Sequence, residues 1–174
     1  CNADRDGNRI SETKRTWFLG RGIWTYSFIY RHLSGDQAHL DVARKAVDFA
    51  LATRPAGEAL WAENFTRDGQ AIGGPDSEIY SVLFVAIGLA QYAAAVQDTR
   101  HWEIAKEIAL KCVRIYDRDG YGASEPEGDL PSMPDRRILG HWMILLLLST
   151  QMLEIRPDDE IEALAGRCVD AIMN

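Results

Sequence analysis

Hydrophobic residues recur along the chain with helical spacing, and they form two different patterns. At about 100° per residue, some segments carry apolar residues on two opposite faces, whereas others carry them on one face. Residues 13–33 show the first pattern, with Trp17, Trp24 and Phe28 on one side. The opposite side carries a second apolar row, formed by Leu19, Ile23, Tyr26, Tyr30 and Leu33. A helix with two apolar faces is covered on both sides, so this segment is predicted to be an enclosed helix.

The two patterns alternate along the sequence. Apolar residues lie on two faces in residues 13–33, 77–96 and 136–155, and on one face in residues 37–53, 100–116 and 158–172. Asp36, Asp98 and Asp158 stand where the one-faced helices need N-caps. We therefore predict an all-α fold of three consecutive αα-hairpins, with the two-faced helices inside and the one-faced helices outside.

A short motif of one type precedes each predicted inner helix. The three copies are Arg5-Asp6-Gly7, Arg67-Asp68-Gly69 and Arg118-Asp119-Gly120. Because Asp-Gly favours tight turns, we expect short β-hairpins in these connections. Three helical hairpins cannot close a ring, whereas six can form an α/α toroid. We expect residues 1–174 to form a single partial α/α-barrel domain, about half of such a toroid and a piece of a longer protein.

The composition excludes some classes of partner. The 174 residues carry a formal net charge of −7, so we expect neither nucleic acid nor a membrane surface as a partner. The apolar run 144–148 is too short to span a bilayer, and we expect no secretory signal. Cys1, Cys112 and Cys168 lack metal-binding or redox spacing. We expect Cys112 and Cys168 to be buried small residues in a reducing, cytoplasmic compartment.

The first two-faced helix also carries a charged residue within one of its apolar rows. Arg21 lies on the same side as Trp17 and Trp24. A buried arginine is costly unless it is paired or lines a polar cavity. Indole faces suit the apolar faces of sugars. This combination predicts a helix that lines a pocket.

The same residues carry a family resemblance. The pattern Trp17-x-x-Gly20-Arg21-x-x-Trp24, followed by Tyr26-Ser27, resembles the signature of the N-acylglucosamine 2-epimerase family, which includes cellobiose 2-epimerases and aldose–ketose isomerases. Asp68-Gly69 with the segments 80–81 and 84–93 is similar to the family's next turn and inner helix, and 137–143 is similar to its third inner helix. The resemblance covers the chain from about Asp4 onward. It implies an (α/α)6 barrel of roughly twice this length, with this chain as its N-terminal half.

The resemblance also implies a chemistry. Family members remove and return a proton at C2 of an open-chain sugar through an enediolate, without a cofactor, and the family's essential histidines lie on later helices beyond Asn174. This chain would then supply the substrate-binding wall for an N-acylglucosamine-like aldose, in a protein that is a possible homodimer. The implied sugar-binding residues are Arg21, Trp24, Tyr80, Trp17 and Arg137, and His141 is the candidate catalytic residue.

Each candidate residue also has a structural interpretation. Arg21 could form a buried ion pair, and Trp17 and Trp24 could belong to the core. Tyr80 could be a packed residue with its hydroxyl at the rim. His141 lies on a leucine-rich helix, where a lone histidine is more often a core residue than a catalyst. Its surroundings also depart from the His-x-His pattern of cellobiose-type members.

Two other functions stay open from the sequence. A glycoside hydrolase or lyase on the same toroid needs two carboxylates beside the pocket. The loop before the third helix offers the only plausible source, namely Glu63, Asp68, Asp76 and Glu78. A non-catalytic carbohydrate-binding protein would need the aromatic wall alone. The sequence has no cluster with metal-ligand spacing and no glycine-rich nucleotide loop, so we expect no metal and no cofactor.

Overall fold

The computed structural model of the protein describes residues 3–122 and 137–174. The predictions for Cys1 and for a helix start at residue 136 lie outside this part of the chain. The helices are α1 Thr16–Ile29, α2 Gln37–Ala52, α3 Tyr80–Val96, α4 Thr99–Tyr116, α5 Leu139–Ile155 and α6 Asp159–Met173, and a π-helical turn spans Tyr30–Ser34. The strands are β1 Lys14–Arg15, β2 Ala62–Phe65 and β3 Ala71–Pro75.

The six predicted helices are confirmed, and the inner ones begin later than the periodicity indicated. Residues 14–15 pair with β2 instead of joining α1, and α3 and α5 begin three residues later than predicted. The π-helical turn ends at Gly35, which adopts the left-handed conformation with φ of 63°. The three predicted N-caps are confirmed, because Asp36, Asp98 and Asp158 each accept a hydrogen bond from a backbone amide of the first turn.

The helices form two layers, as the alternating pattern predicted. The inner helix α3 packs between α1 and α5, and each outer helix packs against the inner helix that precedes it. Ile23 of α1 and Ala86 of α3 are fully buried between the layers. Leu147 of α5 is 52% exposed and faces the concave side of the inner layer. Three αα-hairpins in an inner and an outer layer are therefore the architecture of the described residues.

The predicted apolar rows of α1 are partly wrong. Tyr26 and Leu33 are 37% and 72% exposed, although the pattern placed them on a covered face. The buried positions of α1 are mostly small: Thr16, Gly20, Ile23 and Ser27. Hydrophobicity alone could not identify this face, because close helix packing selects small residues as well as apolar ones.

Two glycines allow α1 and α3 to approach closely. A Cβ atom built on Gly20 would lie 2.3 Å from the carbonyl carbon of Phe84, and one built on Gly88 would lie 2.6 Å from the carbonyl oxygen of Gly20. No side chain larger than hydrogen fits at either position without separating the helices. This contact brings Arg21, the residue after Gly20, beside the ring of Phe84.

Short β-structure decorates the loops, as the Asp-Gly motifs predicted for two of them. β2 and β3 form an antiparallel hairpin whose turn contains Asp68 and Gly69, and β1 adds a third strand beside β2. Asp6-Gly7 lies in a turn closed by the bridge between Ala3 and Arg9. Asp119-Gly120 forms a turn as well, with the amide of Tyr121 donating to the carbonyl of Arg118 at 3.2 Å. The β-hairpin predicted at this motif would extend into residues 123–136, which the structure does not describe.

The predicted burial of two cysteines is confirmed. Cys112 of α4 and Cys168 of α6 are fully buried, and neither forms a disulfide. Burial raises the pKa of the Cys112 thiol to about 12 and that of the Cys168 thiol to about 11. Both are therefore protonated, unreactive core residues at neutral pH. No helix in residues 3–122 and 137–174 has the length and apolar character needed to cross a membrane.

Candidate functional site

The three inner helices enclose a hollow on the side away from the outer layer. α1 and α5 flank α3, and the space between them measures about 240 Å³. Its lining comes from all three helices: Arg21, Trp24, Thr25, Phe84, Ile87, Leu147 and Gln151. A second hollow of about 360 Å³ continues toward the carboxyl ends of the helices and shares Trp24, Leu147 and Gln151 with the first. We call the first one the Arg21 hollow.

Arg21 is an exposed cation held over aromatic rings. Its guanidinium carbon lies 5.2 Å from the ring centre of Trp17 and 6.0 Å from that of Phe84. Within residues 3–122 and 137–174 no carboxylate pairs with it, so the ion pair considered as its structural alternative is not formed there. A guanidinium supported by aromatic faces keeps its donors available for an oxygen-rich ligand. The structure thus places Arg21 where a bound molecule could reach its charge.

Trp24 is fixed by a hydrogen bond that crosses the hollow. Its indole Nε1 donates to Oε1 of Gln151 on α5 at 3.0 Å. The ring stacks on Phe28, with centroids 4.9 Å apart and planes inclined by 16°. Trp24 is half-buried and forms part of the wall of both hollows. An oriented indole with an accessible surface suits contact with an apolar sugar face.

A row of aromatic rings joins the amino ends of the three inner helices. Trp17 of α1 meets Phe84 of α3 at a centroid distance of 5.9 Å, and Phe84 meets Tyr80 at 5.4 Å. Tyr80 in turn lies 6.0 Å from the ring of His141 on α5. Arg21 stands beside the first two rings. The structure therefore brings Trp17, Arg21, Tyr80 and His141 together along one edge of the inner layer.

His141 lies behind this row and not on its open surface. Its side chain is 1% exposed. Besides Tyr80, the rings of Tyr116 and Tyr121 lie 5.6 Å and 5.9 Å from its own ring. A group that exchanges protons with a substrate must come within hydrogen-bond reach of it. This packing favours the core interpretation of His141, and its catalytic role stays a prediction.

Arg137 ties the start of α5 to the end of α4. Its guanidinium donates to the backbone carbonyl of Tyr121 at 2.7 Å and to that of Arg118 at 3.2 Å. It also lies over the rings of Tyr116 and Tyr121, at 4.9 Å and 5.2 Å. These contacts give it a clear structural role at the helix connection. Its predicted contact with a sugar stays a prediction.

The aromatic residues and the arginine at the hollow belong to a sequence that matches a known family. Residues 1–173 match the family described as N-acylglucosamine 2-epimerase (GlcNAc 2-epimerase). The chain belongs to the N-acylglucosamine 2-epimerase family. A curated relative, N-acylglucosamine 2-epimerase of Bos taurus, is 26% identical over 172 residues, which are 95% of this chain and 39% of the relative. The chain thus spans about two fifths of that relative's length.

Solved structures show the same fold. A sugar epimerase from a ruminal bacterium superposes with a TM-score of 0.75 at 15% identity, over 94% of this chain and 44% of that one. Cellobiose 2-epimerase from Bacillus thermoamylovorans gives a TM-score of 0.72 at 16% identity, over 97% of this chain and 46% of that one. The family assignment and the (α/α)6-barrel type of fold, of which this chain forms about half, are confirmed.

The carboxylates that a hydrolase would need lie away from the hollow in this family member. Glu63 pairs with Arg15 at 2.7 Å, and Asp68 lies at the tip of the β2–β3 turn. Burial raises the pKa of the Asp76 carboxyl, and the charges of Glu63 and Glu78 raise it further. None of these four residues lines the Arg21 hollow or the second hollow. Within residues 3–122 and 137–174, the geometry of these four carboxylates therefore gives the glycosidase alternative no support.

The described ranges also hold no metal-binding constellation. Within residues 3–122 and 137–174, no three His, Cys, Asp or Glu side chains converge closely enough to hold an ion. The expectation of no cofactor stays a prediction for the family member as a whole.

Sequence reasoning missed two residues of the site. Phe84 appeared only within the segment 84–93 that resembles an inner helix of the family, yet its ring supports Arg21 and links Trp17 to Tyr80. Gln151 was assigned to neither face of the fifth helix, yet it bonds to Trp24. A signal for Gln151 existed, because an amide in the leucine-rich run of α5 needs a partner when it is partly buried.

Proposed function

We propose that this chain is the substrate-binding part of a sugar 2-epimerase or isomerase that moves a proton at C2 of an open-chain aldose. The observation that carries the proposal is Arg21, an exposed cation without a carboxylate partner in the described residues, held over Trp17 and Phe84 at the rim of a hollow walled by Trp24. Membership of the N-acylglucosamine 2-epimerase family supports the same reaction. An N-acylated aminosugar is the substrate class that the curated relative's name favours.

The reaction requires that negative charge be stabilised on the carbonyl oxygen of the open-chain sugar. Removal of the C2 proton sends the C2–H electron pair into a C1–C2 double bond and leaves a negative charge on the former carbonyl oxygen. Return of a proton to the opposite face of C2 gives the epimer. Where C2 carries a hydroxyl, protonation of C1 together with transfer of the hydroxyl proton from O2 to O1 gives the ketose. Arg21 stays protonated throughout, so it cannot act as the base. Its charge can instead stabilise the oxygen of the enediolate, or of the corresponding enolate where C2 carries an acylamino group.

The remaining wall would hold the sugar in place. Trp24 offers a half-buried indole for the apolar face of the ring or chain, and Tyr80 stands at the amino end of α3 beside the same row of rings. Holding the reacting carbon near Arg21 lowers the entropic part of the activation free energy. Arg137 would support the site indirectly, because its guanidinium donates to the backbone of the α4–α5 connection.

The proton-transferring groups are proposed to lie elsewhere in the complete protein. His141 is packed among three tyrosine rings and is 1% exposed. The curated relative is more than twice as long as this chain, which leaves room for further helices that face the hollow. Histidine suits these steps because its ordinary pKa lies near neutrality.

Exchange of the C2 hydrogen with solvent tests the proposal. The full-length protein is incubated in D2O with glucose, an N-acylglucosamine or cellobiose, and the sugars are followed by proton NMR. We expect loss of the H2 signal with at least one of these sugars, together with formation of the epimer or ketose. Sugar binding without exchange would favour the non-catalytic alternative, and cleavage of a glycosidic bond would favour the hydrolase alternative.

A further inference from the structure

Gln151 links all three inner helices through one side chain. Its Oε1 accepts the hydrogen bond from the Trp24 indole on α1 at 3.0 Å, and its Nε2 donates to the backbone carbonyl of Ile87 on α3 at 2.9 Å. The residue itself belongs to α5 and is half-buried. Among the residues that α3 and α5 contribute to the lining of the Arg21 hollow, Gln151 is polar, whereas Ile87, Phe84 and Leu147 are apolar.

The two partners determine how this amide is oriented. An indole N–H can only donate, and a backbone carbonyl can only accept, so the oxygen must face Trp24 and the nitrogen must face Ile87. Each bond is lost if the amide rotates by half a turn. The Gln151 amide is thus held in one orientation, with one further N–H and one further lone pair left over at the surface shared by the two hollows.

We propose that Gln151 is a positioning residue for substrate, which fixes the Trp24 indole as the platform against which the sugar lies. This inference rests on the proposed function. Stacking on Phe28 restricts the plane of the indole, but only the bond to Gln151 specifies which edge of the ring points across the hollow. Without it, a partly buried indole N–H loses its acceptor, and the ring gains alternative rotamers.

The expected kinetic signature follows from what a platform does. The apolar face of the sugar contacts the indole both before and during the reaction. A misplaced indole therefore weakens the binding of the substrate and of the transition state by the same amount. Such a change raises KM and leaves kcat nearly unchanged. Loss of one hydrogen bond of this kind corresponds to a rise in KM of roughly three- to tenfold.

The test is a double-mutant cycle in the full-length protein. Q151M keeps the length of the side chain but removes both hydrogen bonds, and W24F keeps an aromatic ring but removes the indole N–H. We expect each variant to raise KM, and we expect the double variant to be no worse than W24F alone. I161V is the control, because it removes a methyl group from the core of α6 and should leave KM unchanged at a comparable small loss of stability. A KM unchanged in Q151M, or effects that multiply in the double variant, would overturn the proposal.

A spectroscopic readout separates this proposal from the proposed function. In protein labelled with 15N, the indole resonance of Trp24 is the one that disappears in W24F. We expect the indole proton of Trp24 to exchange with water faster in Q151M than in the unchanged protein. In I161V it should exchange as slowly as in the unchanged protein. Unchanged exchange in Q151M would overturn the positioning role even if the enzyme turns over sugars. Absence of turnover with every sugar would overturn the proposed function, and with it the substrate role of Gln151.

Discussion

The two sides of α3 are built differently. Toward α1, glycines at positions 20 and 88 let the backbones touch, so that a Cβ on Gly20 would lie 2.3 Å from the backbone of Phe84. Toward α5, the helices are joined by side chains, through the Gln151 bond to the Ile87 carbonyl and the ring contact of Tyr80 with His141. The α1–α3 contact is therefore rigid because the backbones meet directly, whereas the α3–α5 contact depends on side chains.

This difference indicates how the site is held. Arg21 follows directly after Gly20, so the rigid contact determines its position over the rings of Trp17 and Phe84. Trp24 lies on the same helix, but it is oriented by a side chain of α5, namely Gln151. The guanidinium of Arg21 is thus positioned by backbone packing, and the indole of Trp24 by a hydrogen bond.

The largest effect is expected at the rigid contact. G20A places a methyl group inside the backbone of α3, which forces the two helices apart and should lower the free energy of unfolding by about 3 kcal/mol. G22A is the matched control on the same helix, because no heavy atom lies within 4 Å of its added Cβ. That change should be neutral or stabilising by up to about 1 kcal/mol through helix propensity. Urea unfolding of both variants measures the difference, and equal midpoints would contradict the rigid contact.

A slightly smaller loss is expected from the partner glycine. In G88A the added Cβ meets the Gly20 carbonyl oxygen at 2.6 Å and Ile23 Cβ at 2.9 Å, which should cost about 2 kcal/mol. Because both glycines serve one crossing, the double variant G20A/G88A should lose less than the sum of the two. G140A on α5 provides the comparison, since its nearest heavy atom would be Ile138 Cγ2 at an ordinary 3.7 Å. A large loss in G140A would remove the proposed contrast between the two sides of α3.

The side-chain contact between α3 and α5 is tested at His141. H141N changes the shape of a side chain packed among Tyr80, Tyr116 and Tyr121, and should lower the free energy of unfolding by about 1 kcal/mol. C2 exchange should persist, because the ring is buried behind the aromatic row. Exchange that is abolished in a variant with nearly unchanged unfolding would instead make His141 the proton-transferring group.

The smallest effect concerns the outer layer and depends on pH. The hydrogen bond from Arg167 of α6 lowers the pKa of the Asp117 carboxyl at the end of α4. A lowered pKa in the folded state means that the pair stabilises the protein above the ordinary carboxyl pKa, near 3.9, and that this contribution is lost as the pH falls toward the folded-state pKa. Both side chains are more than two fifths exposed, so screening limits the effect to less than about 1 kcal/mol.

The corresponding measurement is urea unfolding of D117N between pH 7 and pH 3. The variant should be slightly less stable at pH 7 and should lose less stability than the unchanged protein on acidification. A steeper loss in D117N would contradict the assigned direction of the pKa shift.

Much of this architecture could be predicted from the sequence, because helical periodicity and capping are local. Asp36, Asp98 and Asp158 mark the starts of the outer helices directly, and the alternation of patterns gives the two layers. The tryptophan and arginine positions of α1 likewise identified the wall. Those signals lie within one helix and need no knowledge of its partners.

What could not be predicted depends on which helices meet. Gly20 and Gly88 are 68 positions apart, and only the folded chain shows that they share one crossing. The bond between Trp24 and Gln151 joins residues 127 positions apart. The exposure of Tyr26 was missed for a related reason, since small residues, and not the most apolar ones, form the buried face of α1.

We propose that Arg21 stabilises the negative charge that develops on oxygen during proton transfer. Steady-state kinetics of R21Q in the full-length protein tests it most directly, with R44Q on the outer helix α2 as the control for loss of a surface arginine. If the charge acts mainly in the transition state, R21Q should lower kcat by about a hundredfold with little change in KM, whereas R44Q should resemble the unchanged protein. A folded R21Q that keeps its kcat and only raises KM would contradict this account, because Arg21 would then serve binding alone.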